Sequence, residues 1–306
     1  MENYPFLNKK SFSTEVGGKT LTIETSILGE QANGAVIVTY GDTVVLAAAT
    51  MSAADRSGID YFPLTVDYEE KFYAAGKIIG SRFVRREGRP SDEAVLNGRL
   101  VDRSLRPLFD MRIRRDVQVI ITVLAIDEQN DPDFVGLVAA STALAISDIP
   151  WAGPIAGVRM AQTPEGSLLI NPTNAERTAG VLDLFVSGTD TRINMIEAGA
   201  NEVPESVLVD ACAKAHTEIA KIVAFQNSVV TAVGKKKAAV KMKESSKEFV
   251  EGVKKFLSTR LDDAIYLPGK VERQIAMAAV KTDLVAYIKE TFPEADPKEA
   301  ATITQK

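Results

Sequence analysis

The chain has 306 residues, 45% of them hydrophobic, which is ample for one large or two ordinary domains with a buried core. No window approaches the ~20 continuous apolar residues of a membrane span, and MENYPFLNKK lacks the apolar run of a signal peptide, so a soluble, cytoplasmic protein with no membrane partner is expected. Cys212 and His216 are the only residues of their types, which excludes an internal disulfide and a cysteine-based zinc site and leaves a Ser/His/Asp site one candidate base.

In chain order, Phe12 to Glu15 and Thr20 to Thr25, joined by Val16-Gly17-Gly18-Lys19, read as a hairpin with Leu21 and Ile23 on one face. Gly18-Lys19-Thr20 matches the tail of a Walker A loop, but Ser13 stands where that loop needs glycine, and no helix pattern follows. Asn33-Gly34 turns into Ala35 to Thr39, and Tyr40-Gly41-Asp42-Thr43 turns into Val44 to Thr50. Both apolar runs suit the centre of a sheet. Pro63 to Glu69 alternates Leu64, Val66 and Tyr68 with Thr65, Asp67 and Glu69, the period of a strand with one wet face.

The next stretch, Lys71 to Arg115, carries twelve cations (Lys71, Lys77 and ten arginines) against five acids, a local charge of +7. The whole chain is −5, so the remainder is −12. A cationic strip on an acidic protein is a focused field for a polyanion. Its cations are nearly all arginine, whose planar fork grips phosphate with parallel hydrogen bonds, and this favours a phosphodiester partner. Pro90-Ser91-Asp92-Glu93 reads as a helix start, with Ser91 as cap and two acids at the positive end of the dipole. The helix runs to about Arg106, where Pro107 ends it. At 3.6 residues per turn, Arg99, Arg103 and Arg106 share one arc, opposite Ala94, Val101 and Leu105. Upstream, Gly76 to Pro90 is glycine-rich and aperiodic and reads as a loop. In it Phe83 precedes Arg85 and Arg86, a ring to stack on a base and cations to follow a backbone. The alternative is a solvated face neutralised by Asp92, Glu93 and Asp102.

Val117 to Ile126 is a further strand, and Asp127 to Asp133 an acidic connection without the central glycine or closing glutamate of a calcium loop. Phe134 to Ser147, small and apolar all round, reads as a buried helix. Ile155 to Met160, Ser167 to Ile170, Val181 to Ser187 and Arg192 to Ala198 read as strands, and Pro204 to about Phe225 as a helix. After Gly234-Lys235-Lys236-Lys237 only helical patterns remain, near Ser246 to Arg260 and Val271 to Phe292. An α+β layered domain over residues 1–234, followed by a small all-α domain over 235–306, is expected.

Several segments also carry a resemblance: Gly58 to Val66, Phe72 to Gly80, Arg85-Arg86-Glu87-Gly88-Arg89-Pro90, Arg99 to Phe109, Gly153 to Val158, and Met195-Ile196-Glu197-Ala198-Gly199-Ala200. Together and in this order they resemble the first core domain of the polyribonucleotide nucleotidyltransferase (polynucleotide phosphorylase) family, with residues past about 235 similar to its helical linker domain. The resemblance implies an RNase PH-like mixed-sheet core of the ribosomal protein S5 domain 2 type. It also implies phosphorolytic 3′-to-5′ degradation of RNA, in which inorganic phosphate attacks the terminal phosphodiester and releases a nucleoside diphosphate with magnesium assisting. A homotrimeric ring threading single-stranded RNA, and partners in an RNA-degradation complex, come with it. On this basis Phe83, Arg85 and Arg86 belong at the pore constriction and Arg99, Arg103 and Arg106 face RNA or phosphate. Where the family often shows two adjacent phenylalanines, Phe83 is followed by Val84.

The same comparison places no catalytic or metal-binding residue on this chain. Where the family's second core has closely spaced acids and a lysine, this chain keeps Asp183 but has Arg177 and Phe185 at the other positions. The expectation is a core that binds and threads RNA while catalysis lies in a second core. The alternative is a non-catalytic RNA-binding ring subunit of an exosome-like assembly.

Overall fold

The computed structural model describes residues 8–59, 61–78, 80, 83, 88–240, 242 and 246–293. The described residues form two compact units, one within 8–55, 63–111 and 115–240, the other within 56–62, 112–114 and 242–293.

The first unit is built on two sheets. β1 (Lys10–Val16), β2 (Lys19–Thr25), β3 (Gly34–Tyr40), β4 (Thr43–Met51), β5 (Leu64–Glu70) and β6 (Val117–Ala125) form a six-stranded sheet in the order β1-β2-β3-β4-β6-β5. Every pair is antiparallel except β5 with β6. Parallel neighbours need a crossover, and α1 (Asp92–Leu105) lies within it. The arginine helix is therefore tied to the sheet edge by topology as well as by packing.

α2 (Pro132–Ile146) follows β6, and all of its residues except Pro132 are buried. A helix apolar all round needs cover on every side. It packs against β3, β4 and β6 of the first sheet, against α1, and against β7 and α4 of the second layer. Gly34 is required by this packing, since a Cβ there would lie 2.2 Å from the Ala143 carbonyl oxygen.

The second sheet comprises β7 (Ala156–Gln162), β8 (Leu168–Ile170), β9 (Leu182–Gly188) and β10 (Ile193–Ala200), antiparallel in the order β10-β9-β7-β8, which leaves β10 at an edge. α3 (Asn174–Ala179) lies between β8 and β9 in sequence, and α4 (Glu205–Val233) packs on β7 and β9. Two details differ from the sequence reading. α3 was not expected, and α4 continues eight residues beyond Phe225 because Gln226 is fully buried and hydrogen-bonded on the helix's inner side. Residues past Gly234 remain attached to this unit, with the Lys235 and Ala238 amides donating to the Ile146 and Asp148 carbonyls.

The second unit contains α5 (Lys247–Leu257), α6 (Arg260–Ile265) and α7 (Lys270–Thr291). Phe249, Val253, Leu257, Leu284 and Ile288 form its core, flanked by Phe256, Val280, Tyr287 and Phe292. α6 is a separate short helix within what reads in the sequence as one connection. No helix among the described residues is long and apolar enough to cross a membrane.

Candidate nucleic-acid interface

Ser91 caps α1, its hydroxyl accepting from the Ala94 amide at 3.0 Å, and Asp92 and Glu93 occupy the first turn. Ala94, Gly98, Leu100, Val101, Ser104 and Leu105 are buried, which turns Arg99 and Arg103 outward. At the far end the Trp151 indole donates to the Leu105 carbonyl at 3.1 Å, satisfying an acceptor that the helix end leaves open. A partly buried polar chain joins α1 to the second sheet. The Ser104 and Ser187 hydroxyls meet at 2.8 Å, Ser187 donates to Asn194 Oδ1 at 3.0 Å, and Asn194 Nδ2 donates back to the Ser104 carbonyl at 2.8 Å. β10 is thus held beside the last turns of the helix.

The three expected helix arginines occupy different electrostatic settings. Arg99 is exposed, with no carboxylate in salt-bridge range among the described residues. Arg103 reaches across to β10, where Nη2 pairs with Glu197 and lies 3.7 Å from Met195 Sδ. Arg106 sits one residue past the helix and grips Asp102 through two bonds, Nε to Oδ1 at 2.7 Å and Nη2 to Oδ2 at 2.6 Å, with a further bond to the Leu64 carbonyl at 3.1 Å. Asp102, one of the acids that the sequence offered as a neutraliser, acts on Arg106. Phe83 is 78% exposed. Arg85 and Arg86 lie outside the described residues.

A second charged cluster lies deeper, around Arg159 of β7. Its guanidinium pairs with Asp133 at the start of α2, with Asp131 at 3.4 Å and with Asp183 of β9 at 2.7 Å, while Arg177 of α3 pairs with Asp131. The Phe185 ring lies 5.4 Å from the Arg159 guanidinium carbon. Burial, and then the neighbouring charge of Asp131, push the Asp133 carboxyl up to about 7 against the pull of Arg159. Burial alone would lower Arg159, but Asp133, Asp131 and Asp183 together hold it above the ordinary guanidinium range. These links join residues 24 to 46 positions apart, and no local motif announces them.

Magnesium does not fit this arrangement. Asp131, Asp133 and Asp183 each have one oxygen paired with Arg159 or Arg177, and no group of three His, Cys, Asp or Glu side chains among the described residues converges to hold a metal ion. Arg177 is an ion-pair partner of Asp131, and Phe185 is a buried ring 1% exposed.

Residues 17–150 match domain 1 of the 3′ exoribonuclease family, and residues 153–218 match its domain 2. The chain belongs to the 3′ exoribonuclease family. The family's two domains meet between α2 and β7, so each contributes one of the two sheets. Among curated proteins, the chain is 47% identical to the polyribonucleotide nucleotidyltransferase of Heliobacterium modesticaldum over 292 residues, 95% of this chain and 41% of that one. It is 43% identical to that of Ruminiclostridium cellulolyticum, over 94% of this chain and 41% of that one. The chain therefore spans about two-fifths of these relatives' length. Among solved structures, rice Rrp46 aligns with a TM-score of 0.55 at 13% identity, over 72% of this chain and 94% of that one. The Archaeoglobus fulgidus exosome with RNA bound to the active site aligns with a TM-score of 0.51 at 17% identity, over 70% of this chain and 86% of that one. These likenesses establish an RNase PH-like fold.

Proposed function

We propose that this chain is the RNA-holding core of a phosphorolytic 3′-to-5′ exoribonuclease of the polyribonucleotide nucleotidyltransferase type, and that it binds and guides single-stranded RNA without cleaving it. The observation that carries the reading is the division of the arginines. Those on α1 point outward from a strip of charge +7, whereas Arg159 and Arg177 are spent on the acids that in-line displacement would otherwise require. Phe83 supplies an exposed ring for stacking, and Arg85 and Arg86 supply backbone cations beside it in sequence. Phosphate attack, release of nucleoside diphosphates and magnesium binding then belong to a second core outside this sequence. A homotrimeric ring in the cytoplasm, feeding RNA through its pore and joining RNA-degradation partners, completes the proposal.

The binding half of the reading has a direct test. Phosphate contacts release counterions from the nucleic acid, with a slope of about −0.7 per phosphate for single strands. Arg99→Ala is expected to weaken oligoadenylate binding and flatten the dependence of log affinity on log salt by about that amount. A slope unchanged from the wild type would place Arg99 off the RNA path.

A further inference from the structure

We propose that Glu197 is an affinity-setting residue for RNA: its carboxylate occupies the Arg103 fork in the RNA-free protein and must be displaced by an incoming phosphate. The inference rests on the reading of α1 as an RNA-facing helix, and adds a competitor that the reading does not contain.

Three observations carry it. First, Glu197 is brought to Arg103 by construction. β10 is joined to α1 through Ser104, Ser187 and Asn194, and the strand steps out of register between Ile193 and Met195, immediately before the residues that meet the arginine. Second, the pair is exchangeable. The Arg103 and Glu197 side chains are 56% and 58% exposed, and a solvent-exposed ion pair is too weak to exclude a polyanion. Arg106 offers the contrast, because its side chain is 33% exposed and Asp102 holds it by two bonds from one helical turn away. Third, the pairing fits ligand chemistry. A carboxylate presents two oxygens to a guanidinium much as a phosphate does, so one fork serves either group but not both at full strength. Arg99, four residues away with no such competitor among the described residues, is the cation already available for first contact.

The test is a double-mutant cycle on the whole 306-residue chain, using fluorescein-labelled oligoadenylate at low and at near-physiological salt. Glu197→Gln keeps the size of the side chain and removes its charge. It is expected to tighten binding about three- to tenfold at low salt, with the gain shrinking as salt rises. In the Arg103→Ala background the same substitution is expected to change binding less than about twofold. Weaker binding by Arg103→Ala alone upholds the underlying reading of α1. If Arg103→Ala weakens binding while Glu197→Gln leaves it unchanged, Glu197 is not a competitor and this proposal fails alone. If Arg103→Ala leaves binding unchanged, the helix face is off the RNA path and both readings fail. An equal gain from Glu197→Gln with and without Arg103 would mean general removal of negative charge and would also overturn the proposal.

Discussion

Asp133 is 1% exposed and shares Arg159 with two other carboxylates, so its proton is coupled to folding. Its carboxyl, 3.8 ordinarily, is pushed up to about 7 by burial and by Asp131. A raised acid means that the folded state holds more protons than the unfolded chain between those values, so this group's contribution to stability falls as pH climbs from about 4 to about 7. Urea unfolding of the wild type and Asp133→Asn at pH 4.5, 6 and 7.5 reads the effect by difference. The variant is expected to lack a pH-dependent loss worth up to ~4 kcal/mol across the window, and parallel curves for the two proteins would remove Asp133 as the cause. Residues of this kind were the least legible in the sequence. Asp183 was visible as an aspartate between two leucines, but its partner is Arg159, 24 residues earlier on the neighbouring strand. Glu197 belongs to a segment that carried the family resemblance, yet nothing in its neighbourhood pointed to Arg103, 94 positions away. Pairing across sheets and layers is set by topology, which local charge patterns do not encode.

Elements were more legible where a local signal and a tertiary demand agreed. Ser91-Asp92-Glu93 marked the start of α1, and the serine caps it. The unbroken small apolar run after Asp133 marked α2 as a buried helix, and it fills the space between the sheets. Where the two disagreed, the reading stopped short. Gln226 looks like the polar end of α4, yet Oε1 accepts from Ser141 at 2.7 Å and Thr142 at 3.1 Å, and Nε2 donates to the Ile155 carbonyl at 2.8 Å. One amide therefore joins α4 to α2 and to the segment entering β7. Gln226→Leu strands those groups in the core and is expected to cost ~2–3 kcal/mol by equilibrium denaturation, against less than ~0.5 for the exposed neighbour in Asn227→Ala. A loss no greater than the control's would mean that the network is dispensable. α3 was missed for the opposite reason. Thr173 and Glu176 form a full capping box, but six residues with no buried member offer no apolar period to find.

At the scale of the molecule, charge and topology act together. The +7 strip interrupts an acidic chain between β5 and β6, and the parallel pairing of those strands makes it a crossover connection, in which α1 lies. The second sheet meets that helix through β10, while Asp131 and Asp133 at the start of α2 and Asp183 of β9 pair with Arg159 and Arg177. Arg99 and Arg103 are exposed on α1, and Asp131, Asp133 and Asp183 are each ion-paired to an arginine, the division on which the proposed RNA-holding role rests. The most direct measurement is phosphorolysis of a 3′-labelled oligoadenylate by the 306-residue chain, with magnesium and inorganic phosphate present and RNA binding followed in the same samples. Salt-sensitive binding without phosphate-dependent release of nucleoside diphosphate is the result predicted here. Diphosphate release that depends on added phosphate, and is lost on changing Asp183 to asparagine, would show that the chain carries a working phosphorolytic site and would contradict the account.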